Sequence, residues 1–143
     1  MEINYSEKNA LITGASSGIG RDIAYLMAEK GINLALLARR NDVLTEIKED
    51  LESKHSIKVM VISADLSQVS EYEKIYSTCK NNDFMPDFLV NNAGYGTLDS
   101  FHKIPYEDVK YFYRRPLADY ELKGKFVSPS DAFGRIVVDE SPK

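Results

Sequence analysis

Two residue patterns in this chain are able to do chemistry. "YEDVK" (106–110) sets a Tyr four places before a Lys, a spacing that brings both side chains to one helical face. A Lys ammonium beside a phenol stabilises the phenolate and lowers its pKa from about 10, which suits proton transfer near neutrality. "YSTCK" (76–80) repeats the spacing. The other pattern, "TGASSGIG" (13–20), is a glycine-rich turn of the kind that receives phosphate. Gly14 permits a sharp turn, Gly18 lets backbone approach a pyrophosphate, and Gly20 allows close packing of a following helix. Ser16 and Ser17 add hydroxyls, and the helix start at Gly18, Ile19 and Gly20 adds free N–H donors with a partial positive charge.

Each pattern depends on the elements that hold it. "NALIT" (9–13) is a short apolar run that ends at the glycine turn, as a first strand should. Ile19, Ile23, Leu26 and Met27 then follow helical spacing as one apolar stripe, and Gly31 stands where a helix stops. "INLALLA" (32–38) reads as a strand covered on both faces. Leu44, Ile47 and Leu51 mark a second helix that Asn41 or Asp42 is placed to cap. "IKVMVIS" (57–63) predicts a third strand, Tyr72, Ile75, Tyr76 and Cys79 a third helix, and "DFLVN" (87–91) a fourth strand. This βαβαβαβ order predicts an α/β, Rossmann-type doubly wound parallel sheet of about four strands.

Beyond Tyr113 the rhythm fails: three prolines, Pro116, Pro129 and Pro142, and two glycines interrupt the remaining residues. The expected division is a dinucleotide-binding domain over 1–113 and an irregular tail over 114–143. Within the tail, "RIVVD" (135–139) reads as a possible strand that would cover the open edge of the fourth.

The strand ends carry further candidates. Dinucleotide folds place an acidic residue at the end of the second strand for the ribose hydroxyls. Here the sequence is Ala38-Arg39-Arg40, and two guanidiniums favour a 2′-phosphate over a plain diol. NADP is therefore expected ahead of NAD. Asp65 and Leu66 end the third strand, and Asn92, Ala93 and Gly94 follow the fourth. Asp65 read alone is equally a helix N-cap, and "NNAG" (91–94) read alone is a turn.

The totals narrow the class. The chain has 143 residues, 43% hydrophobic and 28% charged, with a net charge of −4, the composition of a globular domain without a nucleic-acid footprint. Its polar N-terminus lacks a signal sequence and its apolar runs are too short to span a bilayer. One cysteine, Cys79, permits no internal disulfide and suits a reducing compartment. A cytoplasmic protein with no nucleic-acid or membrane partner is expected. His55 and His102 stand alone, without zinc spacing.

Taken together, "TGASSGIG", "ADL" (64–66) and "NNAG", in this order and spacing, resemble the short-chain dehydrogenase/reductase family over about residues 8 to 113. The resemblance covers only the family's N-terminal half. It implies cofactor contacts at Gly14, Ser16, Ser17, Gly18, Ile19 and Gly20. It also implies adenine flanked by Asp65 and Leu66, the adenosine ribose lined by Asn92, Ala93 and Gly94, and NADP preference through Arg39. Pro116 falls where the family has a further Asn, and there the match ends.

The family's catalytic Tyr-x-x-x-Lys follows a fifth strand that carries a Ser. Tyr106 comes only twelve residues after Gly94, with no apolar strand between, and thirteen residues before it lies Ala93, not Ser. "YSTCK" precedes the fourth strand, and Tyr120 and Lys123 are three apart, ahead of Ser128 and Ser130. None of these is the family's pair, so no catalytic residue is expected. The expected function is an NADP-dependent oxidoreductase present as an incomplete chain lacking catalysis. The alternatives are a non-catalytic dinucleotide-binding module and a relic.

Overall fold

The computed structural model describes residues 4–68 and 70–94, together with the backbone of 136–138. Its elements alternate: β1 (Asn9–Thr13), α1 (Gly18–Glu29), β2 (Asn33–Ala38), α2 (Asn41–Lys54), β3 (Val59–Ser63), α3 (Ser70–Asn81), β4 (Phe88–Val90) and β5 (Ile136–Val138). The strands form one sheet in the order β3-β2-β1-β4-β5. The first four run parallel, as short βαβ crossovers require. β5, inside the predicted "RIVVD", does cover the edge of β4, but antiparallel to it.

Alternation along each strand sorts the core into two layers. Ala10, Ile12, Leu34, Leu36, Val59 and Val90 face α1 and α2, where Ala24, Ala28, Leu44, Ile47 and Leu51 meet them. Leu11, Ala35, Leu37, Ile62 and Leu89 face the other way and pack with Ile75 and Cys79 of α3. A sheet covered on both faces needs apolar residues at successive positions, hence the near-continuous runs of β1 and β2. Burial in this second layer pushes the Cys79 thiol up to about 11.

Two local expectations are corrected. The stripe proposed for α1 is half right: Ile23 and Met27 pack against the core, but Ile19 and Leu26 are 70% and 60% exposed, and the fully buried positions are Gly20, Ala24 and Ala28. At Gly20 the helix lies so close to the Gly14 turn that no Cβ fits, and Ala24 and Ala28 continue that face while Ile23, Tyr25 and Met27 pack partly buried beside it. Nor does Asn41 or Asp42 cap α2. Helical geometry already begins at Asn41, the cap position is Arg40, and no side chain caps there. Gly31 closes α1 as predicted, its N–H donating to Ala28 O at 2.9 Å while Ile32 N–H donates to Met27 O at 3.2 Å.

Candidate functional site

In the strand order, β2 and β3 lie on one side of β1 while β4 lies on the other. The chain therefore reverses its direction of winding between β1 and β4, and the crevice beyond their carboxyl ends is where such sheets take ligands. The register aligns those ends: Thr13 sits beside Leu37, Ala38 beside Ser63, and Ile12 beside Val90. The segments starting at Gly14, Arg39, Ala64 and Asn91 thus leave the sheet along one edge, and every sequence-predicted cofactor residue lies on them.

Gly14 turns the chain out of β1 at φ +66°, and a Cβ there would sit 2.9 Å from Asn92 Nδ2 and 3.0 Å from Ala93 Cα. Gly20 has no room for a Cβ either, because the Gly14 carbonyl and the Asn92 amide occupy that space. The start of α1 is thereby held against both β1 and the segment after β4. Gly18, at φ +55°, has nothing within 4 Å of its Cβ position. The open space lies directly over the helix N-terminus. Ser17 takes the cap position in extended geometry without a side-chain cap bond, and no acidic residue occupies the first turn. The positive end of this helix is left to face an anion.

Thr13 is the residue that sequence reasoning missed. It is the buried polar side chain among the described residues, fully inaccessible at the end of β1. Its Oγ1 accepts Asn92 N–H at 2.9 Å and Ala93 N–H at 2.8 Å, and its hydroxyl donates to Val90 O at 3.3 Å. Asn92 Nδ2 returns the contact, donating to Thr13 O at 3.1 Å and more weakly to Gly14 O at 3.4 Å. This reciprocal latch joins residues 79 and 80 positions apart and fixes the glycine turn relative to the "NNAG" segment. The Asn92 amide nitrogen is directed at the turn itself. Ala93 is half-buried beside it and Gly94 is exposed.

The rim is basic. Arg39 and Arg40 are exposed at the end of β2, and Arg40 Nη2 donates to Ser16 Oγ at 3.2 Å. Ser63 Oγ donates to Arg39 O at 3.1 Å and Ala64 N–H to Ala38 O at 3.1 Å, tying the end of β3 to this rim. Asp65 does not cap α3, which begins at Ser70. Its Oδ1 instead accepts Ser67 N–H at 3.0 Å in a tight turn. That bond, with the Ser67 side chain and the nearby Arg39 charge, holds the carboxyl below the usual carboxylate range. Leu66 packs partly into the α3 layer, and Tyr72 Oη donates to its carbonyl at 3.0 Å.

The Tyr76/Lys80 pattern stays apart from this edge. Tyr76 and Lys80 lie in the last turns of α3, which in a parallel βαβ unit is the end away from the strand carboxyl termini. Tyr106 and Lys110, with Pro116, Tyr120, Lys123 and His102, lie outside the described residues. Also among the described residues, no helix is long and apolar enough to cross a membrane.

A doubly wound parallel sheet with a glycine turn, an open helix N-terminus and a basic rim at its switch point defines a Rossmann-type protein. Residues 8–121 match the short chain dehydrogenase family, and the chain belongs to it. It is 42% identical over 98 residues to a very-long-chain 3-oxoacyl-CoA reductase of Candida glabrata, covering 67% of this chain and 26% of that protein. An 11-beta-hydroxysteroid dehydrogenase A of Sesamum indicum is 36% identical over 138 residues, covering 92% and 38% respectively. Among solved structures, an L-sorbose reductase from Gluconobacter frateurii in complex with NADPH and L-sorbose superposes with a TM-score of 0.73 at 31% identity, covering 79% of this chain and 43% of that one. An alcohol dehydrogenase from Thermococcus sibiricus complexed with 5-hydroxy-NADP gives 0.69 at 32%, covering 74% and 45%. The chain thus spans less than half the length of these relatives.

Proposed function

We propose that the chain is the cofactor-binding part of an NADP-dependent oxidoreductase of the short-chain type, with residues 1–113 as the binding domain and 114–143 as a tail whose β5 adds to the edge of its sheet. The observation that carries this reading is the basic rim: Arg40 hydrogen-bonded to Ser16, with Arg39 beside it and no carboxylate at the end of β2. A 2′-phosphate gains two guanidiniums and a hydroxyl there, whereas a diol lacks the acidic partner it prefers. The pyrophosphate is assigned to the N–H groups at Gly18, Ile19 and Gly20 with Ser17, the approach lying over Gly18, whose Cβ position is open. Asp65 and Leu66 flank the adenine, and Asn92, Ala93 and Gly94 close the ribose side. When bound, the nicotinamide exchanges a hydride with a carbonyl or secondary alcohol. The protein groups on the page bind and orient, and none is assigned to move the accompanying proton, so turnover by this chain alone is expected to be negligible.

Calorimetric titration with NADPH and NADH tests the reading. Micromolar binding that prefers NADPH is expected, with Arg39→Ala weakening NADPH by roughly tenfold to a hundredfold and leaving NADH unchanged. Equal affinity for both nucleotides would remove the NADP assignment. A folded chain that binds neither would remove the cofactor role.

A further inference from the structure

The two helices that start at the ligand edge are joined twice, once at that edge and once away from it. At the edge, Arg40, just before α2, donates to Ser16, just before α1. Farther along, Tyr25 Oη of α1 donates to Asp50 Oδ2 of α2 at 2.8 Å. The same carboxylate oxygen accepts Lys54 Nζ at 2.8 Å, and that ammonium lies 5.9 Å from the centre of the Tyr25 ring. Tyr25 also packs against the apolar layer that α1 and α2 share. A phenol, a carboxylate and an ammonium thus form a clasp from one helix to the other.

Each partner is in the state the clasp needs. The Lys54 ammonium and the Tyr25 hydroxyl hold the Asp50 carboxyl below the usual carboxylate range, so it accepts. Partial burial and the Asp50 bond push the Tyr25 phenol up, so it keeps the proton it donates.

We propose that the clasp fixes the spacing between the two phosphate subsites of the cofactor, an inference that rests on the NADP assignment. The pyrophosphate is assigned to the start of α1, and the 2′-phosphate to the arginines that lead into α2. At about 1.5 Å per residue, Tyr25 lies roughly 10 Å along α1 from Gly18 and Asp50 roughly 14 Å along α2 from Asn41. Released there, either helix can pivot and shift its start relative to the other. A nucleotide with phosphate at both helix starts feels that shift. One without the 2′-phosphate is held by α1 alone and does not. Tyr25 and Asp50 are therefore positioning residues that favour NADPH over NADH from a distance.

Calorimetry on the full chain with each nucleotide tests this. Tyr25→Phe removes the bond and keeps the ring, and Asp50→Ala removes the shared acceptor. Each should weaken NADPH by about threefold to fivefold and leave NADH within about a factor of two. Since both changes act through one bond, the double variant should bind NADPH no worse than Asp50→Ala does. Spin labels on Asp22→Cys and Asp42→Cys, both exposed positions, follow the helix starts without nucleotide, and their distance distribution should broaden in Asp50→Ala. Equal weakening of both nucleotides, additive losses in the double variant, or an unaltered label distribution would each overturn the proposal. A parent chain without NADPH preference would overturn the cofactor reading instead, and the label distances would still decide the clasp.

Discussion

The two ends of the parallel sheet are built from similar polar residues put to opposite uses. At the amino end, polar groups are joined to one another across the strands. Lys58 N–H donates to Asn33 Oδ1 at 2.9 Å and Asn33 Nδ2 to Asn9 Oδ1 at 3.2 Å. Asn9 Nδ2 in turn donates to Met85 O at 3.2 Å, while Asp87 accepts Asn9 N–H at 2.9 Å and pairs with Lys8 at 3.3 Å. At the carboxyl end the Thr13–Asn92 latch is the buried join, and the other links, Arg40 to Ser16 and Ser63 to the Arg39 carbonyl, lie at the exposed rim. Ser17, Arg39, Arg40 and the N–H groups of α1 face outward. The comparison teaches that polar residues at strand ends identify a ligand edge by what their donors are left to do, not by their number.

The comparison can be broken most severely at Gly20. Gly20→Ala drives a Cβ into the Gly14 carbonyl, which is backbone, and the Asn92 side-chain amide, which Thr13 O holds in place. The expected result is about 1–3 kcal/mol lost in urea unfolding, the range for overpacking, together with loss of detectable nucleotide binding. Thr13→Val keeps shape and removes the latch hydroxyl, leaving the Asn92 and Ala93 N–H groups without their buried acceptor. It should cost about 2 kcal/mol and weaken NADPH several-fold, read by the same two measurements. Asn33→Ala unstitches the opposite edge. A loss of about 1 kcal/mol is expected with nucleotide affinity within a factor of two of the parent, and a large affinity loss would show that the two ends are not independent.

The smallest effect is a pH dependence at Asp65. Its folded pKa lies below the ordinary 3.8, so its contribution to stability is present above that value and is lost as pH falls through the lower folded pKa. Asp65 is only half-buried and its carboxyl stays open to water, so solvent screening keeps the contribution small. Asp65→Asn should therefore flatten the acid limb of the stability–pH curve slightly and leave stability at pH 7 almost unchanged. Equilibrium unfolding at pH 7 and pH 3 measures both.

Most of this architecture was legible in the sequence, because four short apolar runs separated by helical spacing admit little besides a parallel sheet. "NALIT" coincides with β1 from Asn9 to Thr13, and Leu44, Ile47 and Leu51 are the buried face of α2. What failed did so for a spatial reason. A stripe picked by apolar size chose Ile19 and Leu26, whereas close approach of α1 to the Gly14 turn selected Gly20, and Ala24 and Ala28 continue that buried face. Thr13 reads as one more β-branched strand residue until Asn92 and Ala93 are brought beside it. "RIVVD" showed its strand character through β-branching, but nothing local to it states the direction in which it pairs.

The latch also has a history in time. Thr13 leaves the ribosome 79 residues ahead of Asn92, an interval of roughly 4–16 s at common synthesis rates. Throughout that interval the glycine turn has no Asn92 amide against it, and the acceptor at the end of β1 has no donor from the "NNAG" segment. Nucleotide therefore cannot act as an early template for the nascent chain. Whatever stabilisation it confers by mass action arrives only after β4 has docked, so until then the nascent sheet rests on β1, β2 and β3 with the helices that join them.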